Sequence, residues 1–312
     1  MLRAFIFPGQ GSQSVGMAAA LADEFSAAKA VLKEVDEALG QNLSDLMRNG
    51  PIEELTLTTN TQPALMAHSI AVMRVLKQEA GIDLSGAAFV AGHSLGEYSA
   101  LCAAEALSLG DTARLLRIRG EAMQEAVPVG EGAMAALIGV DLEGAQKAID
   151  ALAGGGVCEI ANDNAPGQVV ISGAKAAVEA VCAGAKEFGA KMAKILPVSA
   201  PFHSSLMGPA AERMQTALAE TTIQAPVTKL VANVTATATT SPDEIRKLLV
   251  EQVTGSVRWT QSVRYMTGEG VDSFVEVGSG KVLSGLIKRI AKGVDIASVS
   301  DPADIAAMAS QA

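Results

Sequence analysis

The sequence predicts an α/β protein with a parallel sheet, into which a second and smaller domain is inserted. Two observations lead to this prediction. The short apolar run at 87–91 is typical of a buried parallel strand, and it ends in a glycine-bounded turn before a helix-forming segment. Strands and helices then alternate as βαββαβ over about 70 residues between Pro128 and Pro197.

The composition indicates a globular protein without a membrane span. The chain has 312 residues, which suits one or two domains, and its hydrophobic fraction of 49% includes only 3% aromatic residues. No window reaches about 18 uninterrupted apolar residues, and a strand-like segment at 4–7 follows Met1 almost directly. We therefore expect no transmembrane helix and no signal or transit peptide.

Charge and cysteine usage predict a cytoplasmic protein that does not bind nucleic acid. The formal net charge is −10, whereas a nucleic-acid binder normally carries a basic surplus. Cys102, Cys158 and Cys182 lie far apart without metal-ligand spacing, which suits a reducing compartment. An acidic protein partner remains compatible with this charge, because docking depends on local patches.

The first predicted strand, at 5–7, leads into a glycine-rich loop at 8–13 with the sequence PGQGSQ. The third glycine of a dinucleotide fingerprint is missing, because Ser14 stands at that position. Two interpretations stay open for this loop. It is either an ordinary strand-to-helix turn or a loop whose backbone closely approaches the active site.

Helices are predicted at 18–39 and 43–48, each followed by a glycine that suits a helix end. A further helix is expected to open at 61, with Pro63 in its first turn. His68 lies inside that helix among apolar neighbours. We expect it to be a core or helix-surface histidine.

The apolar run at 87–91 ends in Gly92-His93-Ser94-Leu95-Gly96, the G-x-S-x-G pattern of a nucleophile elbow. A serine on this turn has strained dihedral angles, so both flanking glycines must stay small. The turn lifts the hydroxyl above the sheet at a helix N-terminus, where backbone N–H groups favour a developing oxyanion. This context predicts an α/β-hydrolase-like large domain with Ser94 as nucleophile; a merely tight glycine turn is the alternative.

The next predicted helix contains an arginine, Arg119, on an apolar face. Its neighbours three and four positions away are all apolar: Leu115, Leu116, Ala122 and Met123. A guanidinium is costly there unless it meets an anion. Two structural interpretations are an internal salt bridge, or an arginine whose aliphatic part packs while its guanidinium group reaches solvent. The functional interpretation is a guanidinium group (the fork) whose paired N–H donors are held ready to bind a substrate carboxylate.

The pattern of the sequence changes after Pro128. Strands are predicted at 132–140, 157–162, 168–172 and 191–198, and helices at 142–153 and 175–188. The order βαββαβ is that of the ferredoxin-like split unit. We therefore expect a ferredoxin-like small domain at 129–197, inserted into a large catalytic domain formed by 1–128 and 198–312, since insertion costs little when its two ends lie close together.

Three histidines occur in the chain, and they differ in their suitability as a catalytic base. His93 adjoins the nucleophile and should point to the opposite face of the strand end. His68 lies inside a helix. His203, set in a loop by Pro201, therefore remains by elimination as the base for Ser94, with a purely structural His203 as the alternative.

Several motifs occur in a fixed order and span nearly the whole chain: 7–13 (FPGQGSQ), 61–65 (TQPAL), 92–98 (GHSLGEY), 119–120 (RG), Asn162, 167–170 (GQVV) and 201–203 (PFH). Taken together, they resemble those of one family, the malonyl-CoA:acyl carrier protein transacylases of bacterial type II fatty acid synthesis. The resemblance is specific because it rests on all of these motifs together and not on any one of them.

The resemblance implies a role for each of the main site residues. Ser94 would be the acylated nucleophile and His203 its general base. Arg119 would bind the malonyl carboxylate. The backbone N–H groups of Gln10 and Leu95 would form the oxyanion hole.

The resemblance also implies supporting residues. Gln252 would orient His203 through its main-chain carbonyl, in place of the acid of a catalytic triad. Phe202, beside the histidine, is similar to the pattern of malonyl-preferring members. The remaining supporting residues are expected in the pocket, at its rim or beside the nucleophile: Gln62, His93 and Asn162.

The function implied is transfer of malonyl from malonyl-CoA to the phosphopantetheine thiol of holo acyl carrier protein, through a malonyl-serine in a ping-pong reaction. No metal or redox cofactor is implied, and we expect a monomer without a nucleic-acid or membrane partner. A serine hydrolase or thioesterase is the alternative, because it would share the elbow and the histidine but would not need Arg119. A non-catalytic binding module would tolerate Ser94→Ala.

Docking of an acidic carrier protein requires a local basic patch on this acidic chain. The helix expected after residue 280 carries Lys281, Lys288, Arg289 and Lys292, and Lys191 and Lys194 precede it in the chain. The simpler interpretation is that these cations lie on a solvated helix face. The alternative hypothesis is that they form a basic patch at which the carrier protein docks.

Overall fold

Two separate β-sheets form the framework of a mixed α/β fold. The computed structural model describes residues 1–198 and 200–310, so Ser199 and residues 311–312 of the predicted large domain lie outside the described residues. The strands of the described part are β1 (Arg3–Phe7), β2 (Phe89–Gly92), β3 (Gly132–Ile138), β4 (Cys158–Ala165), β5 (Gln168–Ala174), β6 (Met192–Ile195), β7 (Lys229–Val231), β8 (Ala238–Thr239), β9 (Ser273–Val277) and β10 (Asp295–Val299).

Helices cover both sheets. Those of the described part are α1 (Ala19–Glu24), α2 (Ser26–Leu39), α3 (Leu43–Asn49), α4 (Ile52–Thr56), α5 (Thr58–Ala80), α6 (Gly96–Ala103), α7 (Leu109–Glu125), α8 (Leu142–Leu152), α9 (Lys175–Gly184), α10 (Gly208–Ala219), α11 (Pro242–Thr254), α12 (Trp259–Gly268), α13 (Val282–Ile290) and α14 (Pro302–Ala309). Within this part of the chain, no helix is long and apolar enough to cross a membrane.

The larger sheet has six strands in the order β10-β9-β1-β2-β7-β8. Its strands pair in parallel except for the short edge strand β8, which runs antiparallel to β7. In β1 and β2, Phe7 is the partner of Gly92, so the two strands end side by side. Because parallel strands share one carboxyl edge, the loops after β1, β2 and β7 meet there.

Strand β1 shows why helices pack on both faces of this sheet. Phe5 and Phe7 belong to one buried apolar cluster, whereas Ala4 and Ile6 belong to another. Side chains of a strand alternate between its two faces, so β1 is buried on both. The near-continuous apolar sequence of β1 follows from this double burial.

The smaller sheet has four antiparallel strands in the order β4-β5-β3-β6. Helices α8 and α9 pack against it around a core of its own, which includes Leu137, Ile149, Ile171 and Val181. The observed sequence of elements, β3, α8, β4, β5, α9 and β6, is the predicted one.

Two of the helices predicted before the elbow differ from the observed ones. The helix predicted at 18–39 is divided into α1 and α2, because Phe25 is extended (φ −118°) and its N–H closes α1 on Leu21. The helix predicted to open at 61 begins at Thr58, so Pro63 lies in its interior. The earlier start arises because the N–H of Thr61 bonds to the Leu57 carbonyl, which closes the first turn before the proline.

Of the two interpretations of His68, core or helix surface, the core position is the one observed, since the side chain is buried in α5. The Nε2 atom of His68 lies 2.9 Å from the carbonyl oxygen of Ser300. Burial lowers the pKa of His68, which keeps the ring neutral inside the protein. His68 therefore ties α5 to the segment after β10.

Candidate active site

Ser94 occupies a strained turn between β2 and α6. Its φ is +56°, in the left-handed region that favours glycine. A Cβ on Gly92 would lie 1.9 Å from the backbone of Gly96, and a Cβ on Gly96 would lie 2.2 Å from the Phe7 carbonyl oxygen. Only glycine fits at both positions, which is the physical reason for the G-x-S-x-G pattern.

His203 lies within hydrogen-bond distance of the Ser94 hydroxyl. Its Nε2 atom is 2.8 Å from Ser94 Oγ. Its Nδ1 atom faces two backbone carbonyl oxygens, of Gln252 at 2.9 Å and of Gly255 at 3.0 Å. Carbonyls only accept, so the Nδ1 atom carries the proton and Nε2 is free to accept one.

The environment of His203 keeps its imidazole neutral. The ring is buried, and burial together with the nearby positive charge of Arg119 lowers the pKa of His203 to about 3. At neutral pH the ring is therefore uncharged, which is the state in which Nε2 takes up a proton. Among the described residues, no carboxylate contacts Nδ1, so carbonyls orient the ring.

Arg119 is a buried cation that extends into the site from α7. It is only 1% exposed. Its Nη1 donates to Gln62 Oε1 at 2.8 Å, and its Nη2 donates to Gln252 Oε1 at 2.8 Å and to Ser94 Oγ at 3.2 Å. Arg119 neither reaches solvent nor takes part in any ion pair of the described residues, so the fork is held by neutral partners next to the nucleophile.

A cavity of about 380 Å³ lies between the two sheets and collects the predicted site residues. Nine of the ten line it: Gln10, Gln62, His93, Ser94, Leu95, Arg119, Asn162, Phe202 and His203. Gln252 is fully buried behind Arg119. A larger cavity of about 750 Å³ around Cys102 contains none of the ten.

The glycine-rich loop after β1 packs directly against the elbow. A Cβ on Gly9 would lie 2.7 Å from the carbonyl oxygen of His93. Of the two interpretations of this loop, the close approach is the one observed. Within the described residues, the backbone N–H groups of Gln10 and Leu95 have no acceptor, so both are free at the cavity.

His93 lines the same cavity as Ser94, and its Nε2 atom lies 2.8 Å from Asn164 Oδ1. Its ring packs beside Trp259, with the ring centroids 5.7 Å apart. The expected opposite direction of the two side chains stays a prediction.

Three further residues of the site have no role in the sequence-based prediction. Asn164 bonds to His93. Asn233, two residues after β7, accepts the Ser94 N–H on Oδ1 at 2.8 Å. Glu97, 1% exposed, accepts from Gln252 Nε2 at 2.9 Å. Glu97 carries a usable sequence signal, because its helix neighbours Ala100 and Leu101 are apolar, as for Arg119.

Among the residues that the structure describes, titratable side chains elsewhere do not form a metal centre. In the described ranges, 1–198 and 200–310, no group of three or more His, Cys, Asp or Glu side chains could hold a metal ion. The three cysteines are free, and burial raises the pKa of each thiol.

Comparison with known families identifies the class of protein. The family model described as the acyl transferase domain matches residues 4–306. The chain therefore belongs to the acyl transferase family, and it is an acyltransferase.

The relatives define a narrower group within this family. The malonyl CoA-acyl carrier protein transacylase of Escherichia coli strain K12 is 47% identical over 304 residues, which are 97% of each chain. The acyl-carrier-protein-S-malonyltransferase structure from Bartonella henselae has a TM-score of 0.96 and 53% identity, covering 99% of this chain and 98% of that one. The resemblance inferred from the motifs is thus confirmed.

One solved relative includes a partner. It is a malonyl-transacylase in complex with its holo type II PKS acyl-carrier protein. It aligns with this chain at a TM-score of 0.96 and 42% identity, over 100% of both chains.

Proposed function

We propose that the chain transfers malonyl groups from malonyl-CoA to the phosphopantetheine thiol of holo acyl carrier protein, in support of fatty acid synthesis. One observation carries the proposal: the Ser94 hydroxyl lies 2.8 Å from His203 Nε2 and 3.2 Å from the Arg119 guanidinium. A nucleophile, a neutral base and a buried cation thus meet at one oxygen. This set of groups suits an acyl thioester that ends in a carboxylate.

The first half-reaction loads Ser94. His203 Nε2 takes the hydroxyl proton while Oγ attacks the thioester carbonyl of malonyl-CoA. The oxyanion of the tetrahedral intermediate accepts hydrogen bonds from the free N–H groups of Gln10 and Leu95. The C–S bond then breaks, and His203 returns the proton to the leaving coenzyme A thiolate.

The second half-reaction unloads Ser94. The phosphopantetheine thiol gives its proton to His203 and attacks the malonyl ester. The C–O bond breaks, and the proton returns to Ser94 Oγ. The two half-reactions are related by symmetry, so the same base and oxyanion site serve both, and the chemistry requires no metal or redox cofactor.

Arg119 selects for the malonyl group in this proposal. A guanidinium binds a carboxylate through two parallel hydrogen bonds. The neutral partners Gln62 and Gln252 hold the fork in place without competing as anions. A serine hydrolase or thioesterase is not favoured, because it has no use for a buried cation beside its nucleophile, and the relatives are transacylases.

The fold supports a finer assignment of parts. The Ser94 turn is a nucleophile elbow on an α/β-hydrolase-like large domain, formed by 1–128 and 198–312. Residues 129–197 form the ferredoxin-like small domain, which closes the cavity from the opposite side through residues such as Met134 and Val170. We expect the enzyme to work as a cytoplasmic monomer without nucleic-acid or membrane partners.

The carrier protein docks beside α13 in this proposal. Val282, Leu283 and Leu286 of this helix line the cavity. The predicted helix was too long, since α13 spans Val282–Ile290: Lys281 is its N-cap and Lys292 lies beyond its end. Among the described ion pairs, none includes the cations at 281, 288, 289 and 292 or Lys191 and Lys194, so their charge is available to an acidic partner.

A transfer assay tests the proposed function. Purified protein is incubated with malonyl-CoA and either holo or apo acyl carrier protein, and the carrier protein is analysed by mass. We expect malonylation of the holo form only, and none with Ser94→Ala. Release of free malonate without carrier protein malonylation would identify a hydrolase.

A further inference from the structure

Arg119 is a buried cation without a carboxylate in contact. Its three hydrogen-bond partners, Gln62, Gln252 and Ser94, are all neutral. Burying a charge costs several kcal/mol unless an opposite charge compensates it. The compensating charge must therefore act on Arg119 without touching it.

Glu97 is the buried carboxylate that meets this requirement. It is as deeply buried as Arg119, at 1% exposure. Its Oε2 accepts the Asn233 N–H at 3.0 Å and Gln252 Nε2 at 2.9 Å. Its other oxygen, Oε1, is buried and has no hydrogen-bond partner among the described residues.

The side chain of Gln252 connects the two charges. Its Nε2 donates to Glu97, and its Oε1 accepts from Arg119 Nη2 at 2.8 Å. A carboxylate accepts and a guanidinium donates, so only one orientation of the amide satisfies both. Nε2 also donates to the Ser94 carbonyl oxygen at 3.0 Å, so Glu97 and this carbonyl together keep the Gln252 oxygen facing Arg119.

We propose that Glu97 is a positioning residue that acts as the counter-charge of Arg119 through the Gln252 amide. The inference rests on the proposed function, since it concerns the carboxylate subsite of the same reaction. Glu97 touches no reacting atom. Together with the Ser94 carbonyl it fixes the Gln252 amide, and that amide holds the guanidinium together with Gln62.

An indirect counter-charge has a specific advantage over a direct ion pair. A carboxylate in contact with Arg119 would occupy the fork with two hydrogen bonds and compete with the substrate carboxylate. With Gln252 between them, Glu97 balances the charge of Arg119, while the N–H donors of Arg119 can still leave their neutral partners and bind the substrate carboxylate. The arrangement therefore combines tolerance of a buried cation with an open anion site.

Glu97 is also the group at this position whose charge changes near neutral pH. Burial raises its pKa to about 7. The charged and titratable groups that interact with it are Arg119 from α7 and the neighbouring Tyr98, whose pKa burial raises to about 12. Tyr98 thus stays neutral and Arg119 stays charged across the range in which Glu97 titrates.

The test measures Ser94 acylation by malonyl-CoA and by acetyl-CoA as kcat/KM, which reports ionisations of the free enzyme. Glu97→Gln keeps the shape of the side chain but removes its charge, and the new amide can donate as well as accept. We expect the malonyl-to-acetyl ratio of this variant to fall about tenfold, since Arg119 loses its counter-charge and the Gln252 amide loses a partner that can only accept. Glu276→Gln is the matched control, because Glu276 is equally buried but bonds to the N–H groups of Leu283 and Ser284 instead.

The pH dependence separates this role from a merely structural one. In the wild type we expect the ratio to fall as the pH drops from about 8.5 to about 5.5, a range in which an ordinary malonyl carboxylate stays ionised. In Glu97→Gln the ratio should stay low and flat. The wild-type profile tests the inference even if the variant folds poorly.

Three results would overturn the inference. A ratio in Glu97→Gln equal to that of the wild type, or a flat wild-type profile, would show that Glu97 does not act on Arg119. A raised ratio would show that Glu97 only repels the substrate carboxylate. If the wild type formed no malonyl-serine, the proposed function would fail as well, whereas a wild-type adduct with an unchanged ratio overturns the Glu97 inference alone.

Discussion

Ser94 and His203 meet at 2.8 Å, and both have a backbone in the left-handed region, with φ of +56° and +57°. For residues with a Cβ this conformation costs about 1–3 kcal/mol each and persists only where neighbours enforce it. Asn233 holds the Ser94 N–H, and the Gln252 and Gly255 carbonyls hold the His203 ring. The protein's own hydrogen bonds thus maintain the geometry of the pair.

Gly96→Ala should prevent the elbow from forming. Its Cβ would lie 2.2 Å from the Phe7 carbonyl oxygen, and both groups belong to the central framework. We expect a loss of unfolding free energy of about 3 kcal/mol or more, measured by urea denaturation. Gly285→Ala in α13 is the control, because a Cβ there meets nothing within 4 Å. Equal stability of the two variants would contradict the steric account.

Arg119→Ala should reverse the acyl preference of the enzyme. Acylation by malonyl-CoA should fall about 10²-fold or more, because the carboxylate loses a bidentate charged partner, while acetyl-CoA should react at a similar or higher rate. The measurement is single-turnover acylation of Ser94. Arg114→Ala, on the same helix but exposed and paired with Asp111, should change neither rate. An equal fall in the acylation rates with both substrates would show that Arg119 does not bind the substrate carboxylate.

The imidazole of His203 should titrate far below the usual range for histidine. Burial is the larger cause and the charge of Arg119 the second, so Arg119→Ala should raise the pKa of His203 from about 3 towards its ordinary value without reaching it. Imidazole NMR signals can follow this, since the chain has three histidines. The signal of His68, whose pKa does not depend on Arg119, is the internal control. An ordinary pKa for His203 would contradict the burial argument.

The charge of Glu97 should cost stability at alkaline pH. Its pKa is raised to about 7 in the folded state from 4.5, so the folded protein holds this proton over a range in which the unfolded chain has lost it. The contribution is therefore full below about pH 4.5 and is lost as the pH rises through about 7. The free energy of unfolding of Glu97→Gln, compared with the wild type by denaturation at several pH values, should lack this fall, which is on the order of 3 kcal/mol. Parallel profiles for both proteins would show that Glu97 does not titrate in this range.

Charge reversal beside α13 should weaken carrier-protein transfer alone. Lys288→Glu with Lys292→Glu should raise the KM for holo acyl carrier protein about tenfold, because each cation contributes to docking an acidic surface. Acylation by malonyl-CoA should be unchanged. Lys175→Glu, at the opposite end of β5 from the cavity residue Gln168, serves as the control. An unchanged KM in the double variant would place the docking surface elsewhere.

Local rules predicted the parts of the site that depend on local geometry. The glycines at 92 and 96, the strained serine between them and the order of elements in the small sheet follow from turn sterics and hydrophobic periodicity. Arg119 could be recognised from the sequence because a cation on an apolar helix face is costly unless an anion compensates it. His203 followed from the small number of histidines.

Such local rules could not predict contacts between residues that lie far apart in the sequence. Glu97 and Gln252 are 155 positions apart in sequence, and Asn233 and Ser94 are 139 apart. No periodicity reports which strand ends meet at one edge of a sheet.

The central claim, that Ser94 carries the malonyl group, can be tested most directly by intact mass after brief exposure to malonyl-CoA. Acetyl-CoA and Ser94→Ala serve as controls, and holo acyl carrier protein is added in a second step. We predict a single malonyl adduct that requires Ser94, exceeds the acetyl adduct and disappears when the carrier protein gains the same mass. Free malonate without an adduct or its transfer, or an adduct that persists in Ser94→Ala, would contradict the account.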